Sequence, residues 1–274
     1  MLNNQERQWI YRHAYLPEHL PDYVGAVSGA EPFLHHNYLY FLGKKHLIFN
    51  GYPLEPDSDP PDQVYDIVCR RSRPSTVAVI AHDLWLPAEQ YEHQATDSYY
   101  RLDLPLTSID AAVAYMVRRA QRDLHVSRGR FGKEHKKIIR AFLAGHRINR
   151  RQKYIFKHIA QYLKASDSAV LLEARKQNKL VAFSIVDFGA VDYAFYLFSF
   201  RSVKIKVPGA SDLIFQAMVN QAQAEGKKAV NLGLGVNAGI RHFKEKWGGV
   251  PFLKYCSALV DKREVDIGNL VKKL

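Results

Sequence analysis

The sequence predicts an α+β fold in which mixed, mostly antiparallel sheets pack against helices. Three observations support this prediction. Short runs rich in β-branched and aromatic residues, bounded by Gly, Pro or Asn, occur in the first hundred residues and again after residue 168. Between residues 106 and 164, apolar residues recur instead at helical spacing. In the last third, three consecutive predicted strands precede a helix, a strand, a helix and a final strand.

The first hundred residues contain predicted strands and one predicted helix. The break Gly43-Lys44-Lys45 is typical of a hairpin turn, and a proline-rich loop at 53–62 precedes the helix, which is expected over 62–70. The run Thr76–Ala81 is continuous and rich in β-branched residues, which indicates a buried strand. The predicted strands are Tyr23–Val27, Tyr38–Leu42, His46–Asn50 and Thr76–Ala81.

The middle of the chain is predicted to be helical. Ser108 is a candidate N-cap for a helix over 109–122. Two further helices are expected over 133–143 and 149–164, and each carries one apolar stripe that would face a core. The last third then contains predicted strands at 169–175, 180–187, 192–200, 228–232 and 252–260, with helices at 211–225 and 237–247.

A weak internal repeat is visible along the chain. Residues 38–81 and 180–232 both follow the order hairpin, Pro/Gly loop, helix and strand, with little sequence identity. This pattern indicates a duplicated fold. The chain is accordingly divided into an N-terminal half at 1–105, a basic helical segment at 106–165 and a C-terminal domain at 166–274.

Composition excludes several classes of protein. No apolar run approaches the roughly 18 residues that a membrane span requires. The first residues lack the apolar segment of a secretory signal, and the two cysteines, Cys69 and Cys256, stand alone without a CxxC partner. Histidines show no metal-ligand spacing, so no metal is expected. A reducing, cytoplasmic location is therefore the expectation.

The net charge of +12 is concentrated in one stretch. Residues 118–157 contain 14 Lys/Arg and only two acidic residues, Asp123 and Glu134. Such a field attracts polyanions, and RNA, anionic lipid headgroups and phosphorylated cofactors are all possible partners. An ordinary solvated helical face is the equally open alternative. The candidate anion-binding residues are Arg147, Arg150, Arg151, Lys153 and Lys157.

The stretch 231–249 is the most informative part of the chain. It predicts the end of a strand, a glycine-rich turn, one short helix and a glycine stop. Gly233 and Gly235 would let backbone amides approach a ligand closely, and Asn237 is a plausible N-cap. Ile240, Phe243 and Trp247 form one apolar stripe at helical spacing, for which core packing is the plain interpretation.

With these motifs in view, the C-terminal third resembles the GNAT acyltransferase superfamily. The likeness is strongest to FemAB-like aminoacyltransferases and to the C-terminal domain of lysyl-phosphatidylglycerol synthases, which contain two tandem GNAT-like folds. That resemblance implies a pyrophosphate loop at the start of the crossover helix, here matched by Lys206, Val207, Gly209, Ala210 and Ser211. Amides at a helix N-terminus would hold the diphosphate of acyl-CoA.

Two residues depart from that loop pattern. Pro208 has no amide to donate, and Asp212 places a carboxylate where phosphate oxygens would lie. These departures favour an aminoacyl-tRNA donor, whereas the surviving loop pattern favours acyl-CoA, so both donors stay open. A plain helix start capped by Ser211 or Asp212 is the simpler interpretation of the same residues.

The resemblance also implies catalytic residues after the next strand. Asn237 matches the asparagine that contacts the pantetheine arm, and Lys244 occupies the position of the tyrosine that protonates the leaving thiolate. A lysine can perform that task only if burial tunes its pKa, and an exposed helix face is the alternative for Lys244 and Lys246. Tyr196 lies in the alternating run 192–200 and is a third candidate, because its hydroxyl could reach the cleft of the sheet.

The function implied by this resemblance is acyl or aminoacyl transfer to an amine or hydroxyl acceptor on a small molecule, peptide or lipid. Such an enzyme positions donor and acceptor and stabilises an oxyanion with backbone amides. It would need a gap between the strands expected at 192–200 and 228–232. The alternative is a non-catalytic module of the same fold that binds tRNA, other RNA or an anionic membrane surface through residues 118–157.

Overall fold

The computed structural model describes residues 2–146, 148 and 150–262, without the side chain of Arg151. Contacts divide these residues into two units. The first unit comprises residues 30–96 and 255–262, and the second comprises residues 2–29 and 97–254. Both units combine a mixed sheet with helices, so the predicted α+β class is confirmed.

Within the described residues, the helices and strands follow one another closely along the chain. The helices are α1 Asn4–His13, α2 Pro21–Ser28, α3 Pro61–Ser72, α4 Ala111–Gln121, α5 Lys133–Gly145, α6 Arg150–Ala165, α7 Ala210–Ala224 and α8 Ala238–Glu245. The strands are β1 Glu31–His35, β2 Tyr38–Leu42, β3 His46–Asn50, β4 Thr76–Ala81, β5 Glu92–Asp103, β6 His125–Arg128, β7 Ala169–Lys176, β8 Lys179–Asp187, β9 Tyr193–Arg201, β10 Ala229–Leu234 and β11 Val250–Asp261. A 3₁₀ turn at Pro17–His19 separates α1 from α2.

The sheet of the first unit has the order β1-β2-β3-β4-β11. All its neighbouring strands are antiparallel except β3 and β4, which are parallel and are joined by the crossover helix α3. The buried ring of Tyr65 in α3 packs edge-on against Phe49 in β3. The core of this unit therefore forms between α3 and one face of its sheet.

The sheet of the second unit has the order β5-β10-β9-β8-β7-β6. Again one pair is parallel, β9 with β10, and the crossover helix α7 joins its two strands. The remaining neighbours are antiparallel. This unit repeats the plan of the first, with hairpin, crossover helix and parallel strand in the same order, as the repeat at 38–81 and 180–232 predicts.

The closing strand of each sheet follows the other repeat along the chain. β5 comes after the first repeat but pairs with β10, whereas β11 comes after the second repeat but pairs with β4. This exchange explains why the units interleave in sequence. Boundaries at 105 and 165, drawn from composition, stay a proposal about how the chain is organised.

Helices cover both faces of the second sheet. On β7 and β8, Leu172 and Ala182 face one core with helices α4 and α7, whereas Leu171 and Phe183 face another with α5 and α6. Alternate residues of a strand point to opposite faces, so these two sets lie on opposite sides of the sheet. The predicted basic segment is therefore divided between the two faces and is interrupted by strand β6.

Two sequence predictions about elements were wrong, and four elements were not predicted. The strand expected at Tyr23–Val27 is helix α2, because Pro21 starts a helix and Gly29, with φ +69°, ends it. The N-cap of α4 is Asp110 and not Ser108, because the Asp110 carboxylate accepts from the amides of Ala112 and Val113. Elements that the sequence analysis did not predict are α1, β1, β5 and β6.

Candidate functional site

The parallel strands β9 and β10 pair over only three residues. Their last paired positions are Phe195 and Asn231, although β9 continues to Arg201 and β10 to Leu234. Both strands also carry an irregularity here. In β9, Leu197 is skipped in the pairing with β8, and in β10, the register with β5 shifts after Asn231. Bulges of this kind bend a strand and leave main-chain groups unpaired, so the strands diverge past residue 231.

Asn231 holds the divergence in place. Its side chain is fully buried, its Oδ1 accepts from the amide of Gly233 at 2.7 Å, and its Nδ2 donates to the carbonyl of Tyr15 at 2.7 Å. Gly233 has φ +72°, a conformation that glycine adopts readily. The asparagine therefore fixes both the bulge and the segment that crosses it.

The turn after β10 is organised by Asp97 in β5. One carboxylate oxygen accepts from the amide of Val236 at 2.7 Å, and a Cβ on Gly235 would lie 2.7 Å from the other oxygen. The amides of Gly233 and Gly235 are both bonded within the chain, to Asn231 and to the carbonyl of Ser98. Contact of these two glycines with a cofactor stays a prediction, and it would not use their amides.

Helix α8 begins as the sequence predicts. The Asn237 side chain accepts from the amide of Ile240 at 3.0 Å, which is the N-cap geometry. Trp247 is buried, and Phe243 packs against the same core. The predicted stripe is incomplete, because Ile240 is 38% exposed.

Lys244 is the unexpected member of α8. Only 4% of the residue is exposed, and its Nζ donates to the carbonyl of Leu234 at 2.5 Å and lies 5.3 Å from the centre of the Tyr100 ring. Burial lowers the pKa of Lys244 to about 7, while the charge of Asp97 opposes that shift. The ammonium thus lies directly at the end of β10, where the strands have diverged. It can give or take a proton near neutral pH.

Tyr196 lies on β9 on the face covered by α7 and α8. Its ring stacks on Phe243 and meets Phe215 edge-on, and its hydroxyl lies 3.4 Å from Ser184 Oγ. Burial raises the pKa of the phenol, so the hydroxyl stays protonated at neutral pH. Tyr196 and Lys244 therefore border the diverging strands from the same side, and a catalytic role for either one stays a prediction.

The loop before α7 differs from a simple phosphate cradle. Gly209 has φ +78°, and a Cβ there would lie 2.2 Å from the carbonyl oxygen of Met116 in α4. The glycine is therefore required by helix packing as well as by its backbone conformation. Ala210 is buried in the core, whereas Lys206 is exposed; Val207 and Ser211 are half-buried.

The first turn of α7 already contains a negatively charged side chain, that of Asp212. Asp212 is buried and accepts from Lys246 Nζ at 2.6 Å and from Trp247 Nε1 at 2.9 Å. A carboxylate in the first turn of a helix also interacts favourably with the helix dipole. This arrangement ties α7 to α8, and it occupies part of the position at which a diphosphate would approach.

The two acidic residues of the segment 118–157 pair with basic residues outside that segment. Asp123 pairs with Lys176 at 3.0 Å and Glu134 pairs with Arg175 at 2.8 Å. Among the predicted anion-binding residues, Arg150, Lys153 and Lys157 are exposed on α6. Arg147 lies outside the described residues, as does the side chain of Arg151.

Two kinds of feature are absent from the described residues. Within the part of the chain that the structure describes, no group of three or more His, Cys, Asp or Glu side chains is arranged to hold a metal ion. Across the same residues, no helix combines the length and apolarity needed to cross a bilayer.

The sequence analysis missed Asp97, Asn231 and the partners of Asp212. Asp97 lies 139 residues before the amide that it binds. A glycine-rich turn does signal that something approaches its backbone closely, but it does not indicate which side chain does so.

No protein-family model and no curated protein matches the chain. Several solved structures do match the chain. L-PGS from Bacillus licheniformis aligns with a TM-score of 0.59 and 15% identity, over 99% of this chain and 96% of that one. FemX aligns with a TM-score of 0.61 and 11% identity, over 93% of this chain and 96% of that one. A tandem GNAT protein from the clavulanic acid biosynthesis pathway aligns with a TM-score of 0.52 and 10% identity, over 84% of this chain and 79% of that one.

These likenesses define the class to which the fold belongs. The chain has the tandem GNAT-like fold seen in FemX and L-PGS, and the predicted resemblance is confirmed at the level of the fold. At 10–15% identity the comparisons establish the fold alone. What the site does must be argued from its own geometry.

Proposed function

We propose that this protein is an acyltransferase that moves an acyl or aminoacyl group from an ester or thioester donor to an amine or hydroxyl acceptor. The observation that carries the proposal is the position of Lys244. A buried ammonium whose pKa is about 7 lies at the carbonyl of Leu234, where β10 has separated from β9. Strongly perturbed pKa values in a gap of this kind are typical of catalytic sites.

The reaction needs little covalent chemistry from the protein. The acceptor nitrogen or oxygen attacks the donor carbonyl, a tetrahedral oxyanion forms, and the donor oxygen or sulfur leaves. Unpaired main-chain groups between the diverging strands can align the donor carbonyl. Amides aimed at the developing oxyanion would stabilise it in a dry site.

Lys244 would supply the proton that the leaving group needs. With a pKa of about 7, about half of the side chains carry that proton at neutral pH. The hydroxyl of Tyr196 is protonated and lies on the same face of the sheet, so it is the second candidate donor. Asn237 would orient the donor from the N-terminus of α8.

The start of α7 favours an aminoacyl-tRNA donor over acyl-CoA. Pro208 has no amide, and the buried carboxylate of Asp212 would repel a diphosphate. Next to this loop, exposed Arg118 and Arg119 of α4 follow the Met116 carbonyl against which Gly209 packs. An aminoacyl ester brings a phosphate backbone but no diphosphate, so it suits this surface better.

The test is a transfer assay with purified protein and both donors. Lysyl-tRNA and acetyl-CoA, each with a radiolabelled acyl group, would be offered with a panel of primary amines and a phosphatidylglycerol vesicle. We expect transfer from lysyl-tRNA, and a loss of at least tenfold in kcat for Lys244→Met and for Asn237→Ala. Lys164→Met, an exposed helical lysine away from the site, is the matched control.

Transfer from acetyl-CoA alone would overturn the donor assignment while leaving the transferase proposal intact. Full turnover in both Lys244→Met and Asn237→Ala would remove the site assignment. The comparisons give no support to the non-catalytic alternative. It would be favoured only if neither donor is used and RNA binds with a steep dependence on salt.

A further inference from the structure

A second ionisable group lies on the opposite side of the diverging strands. Glu18, in the 3₁₀ turn Pro17–His19, is half-buried, and its Oε2 accepts from the hydroxyl of Tyr99 at 2.9 Å. Tyr99 is fully buried on β5 and is the register partner of Leu234, the residue whose carbonyl binds Lys244. Glu18 and Lys244 therefore converge on the same end of β10.

The two groups approach that end from opposite faces. Tyr99 and Tyr100 are neighbours on one strand, so their side chains point to opposite faces of the sheet. Tyr100 contacts Lys244 and Glu245 of α8, whereas Tyr99 contacts Glu18. The acidic group thus occupies the face that α7 and α8 leave free.

The segment around Glu18 crosses β9, β10 and β5 next to the point where β9 and β10 separate. The Tyr15 ring lies 6.5 Å from that of Tyr193 on β9, and its carbonyl accepts from Asn231 on β10. Glu18 then reaches Tyr99 on β5. These contacts carry residues 15–18 from the paired part of β9 across β10 to β5, on the face of the sheet opposite α8.

We propose that Glu18 is the general base of the transfer reaction, deprotonating the acceptor on the face of the sheet opposite Lys244. This inference rests on the proposed function. The acceptor amine forms its bond to the donor carbonyl carbon and passes one proton to the Glu18 carboxylate. The bond from that carbon to the donor oxygen or sulfur breaks, and the leaving group takes a proton from Lys244. Exchange with solvent restores both residues, so the protons balance.

The surroundings of Glu18 suit this role. Burial raises the pKa of the carboxyl, which makes it a stronger base, while the Tyr99 hydroxyl partly offsets the shift by stabilising the charged form. Among the described residues on the same face of β5, Arg101 is engaged with Asp103 at 2.8 Å. The tuning of Glu18 therefore comes mainly from burial and from Tyr99.

The experiment compares pH profiles of kcat, with whichever donor the transfer assay identifies and ethanolamine as the acceptor probe. The wild-type profile should be bell-shaped, with an acidic limb from Glu18 and an alkaline limb near pH 7 from Lys244. Glu18→Gln should lower kcat at least 100-fold with little change in KM and should abolish the acidic limb. Glu18→Asp should recover part of the rate.

Tyr99→Phe separates a chemical role from a structural one. Without the hydroxyl donor the carboxylate is less stable, so the acidic limb should move to higher pH while the protein stays folded. Asp167→Asn, an exposed carboxylate at the α6–β7 turn, is the matched control and should behave like wild type. If the wild type catalyses transfer and Glu18→Gln keeps its rate and acidic limb, Glu18 is not the general base, while the proposed transferase function stands. If the wild type uses neither donor, the proposed function fails and the inference fails with it.

Discussion

Replacing Lys244 by methionine should remove activity and should also change how the stability of the fold depends on pH. Wild type should become more stable as the pH rises, and the variant should lack the part of this gain that comes from Lys244. The pKa of Lys244 falls from 10.5 to about 7 because the side chain is buried. Between these values the unfolded chain binds a proton that the folded chain does not. Raising the pH through that range therefore stabilises the native state. Each unit of difference between the folded and unfolded pKa is worth about 1.4 kcal/mol. The pH-dependent stability that Lys244 can contribute is therefore at most about 5 kcal/mol.

The assay is urea unfolding at pH 6 and pH 9. Lys244 should add about 2.5 kcal/mol to the wild-type free energy of unfolding between these two values, and this gain should vanish in Lys244→Met. All other groups titrate in both proteins, so they cancel in the comparison. Methionine also leaves the carbonyl of Leu234 without its partner, at a cost of about 1–3 kcal/mol that does not vary with pH. Lys164→Met, the exposed control, should keep the full wild-type dependence.

A parallel change in wild type and Lys244→Met, within about 0.5 kcal/mol, would refute the reasoning. It would mean that Lys244 keeps an ordinary pKa in the folded chain. The proton-donor role would then lose its physical basis, whatever the turnover of the variant.

The other predictions concern the backbone around the site. Asn237→Ala should cost about 1 kcal/mol through loss of the cap to Ile240, and Asn237→Asp should restore that stability, so turnover lost in both variants would reflect ligand contact rather than capping. Gly209→Ala should lower the melting temperature markedly, because its Cβ meets the Met116 carbonyl at 2.2 Å; an unchanged transition would contradict the packing described. Asn231→Leu should cost about 2–4 kcal/mol in urea unfolding, since two buried hydrogen bonds are lost, and a neutral result would show that the bulge forms without the clamp.

Much of the fold could be predicted because it is encoded locally. Strands β2, β3 and β4 begin and end where alternation, β-branching and turn residues place them. The repeat of hairpin, crossover helix and parallel strand is likewise a matter of element order. Helix α2 was mispredicted because its short apolar run suits either structure, and its proline start and glycine end decided the outcome.

The site could be predicted only where its residues are close in sequence. The cap at Asn237 belongs to one turn of chain, and the sequence analysis found it. The burial of Lys244 depends on Tyr100, which lies 144 residues earlier, and no helical periodicity can show that contact. The amphipathic stripe in fact places Ile240 inside and Lys244 outside, whereas the structure has Lys244 buried and Ile240 partly exposed.

Glu18 illustrates the same limit from the other end of the chain. Its importance depends on the Tyr15–Asn231 bond, which joins residues 216 positions apart. It also depends on the alternation that separates Tyr99 from Tyr100. An acid and a base on opposite faces of a sheet can act on one carbonyl only if the sheet is open between them. Because β10 and β5 stay paired at Leu234 and Tyr99, the separation of β9 from β10 is the opening through which Glu18 and Lys244 could share one donor. The short pairing of β9 with β10 is therefore what the proposed acid and base require, and it ends at Asn231, whose side chain binds the amide of Gly233.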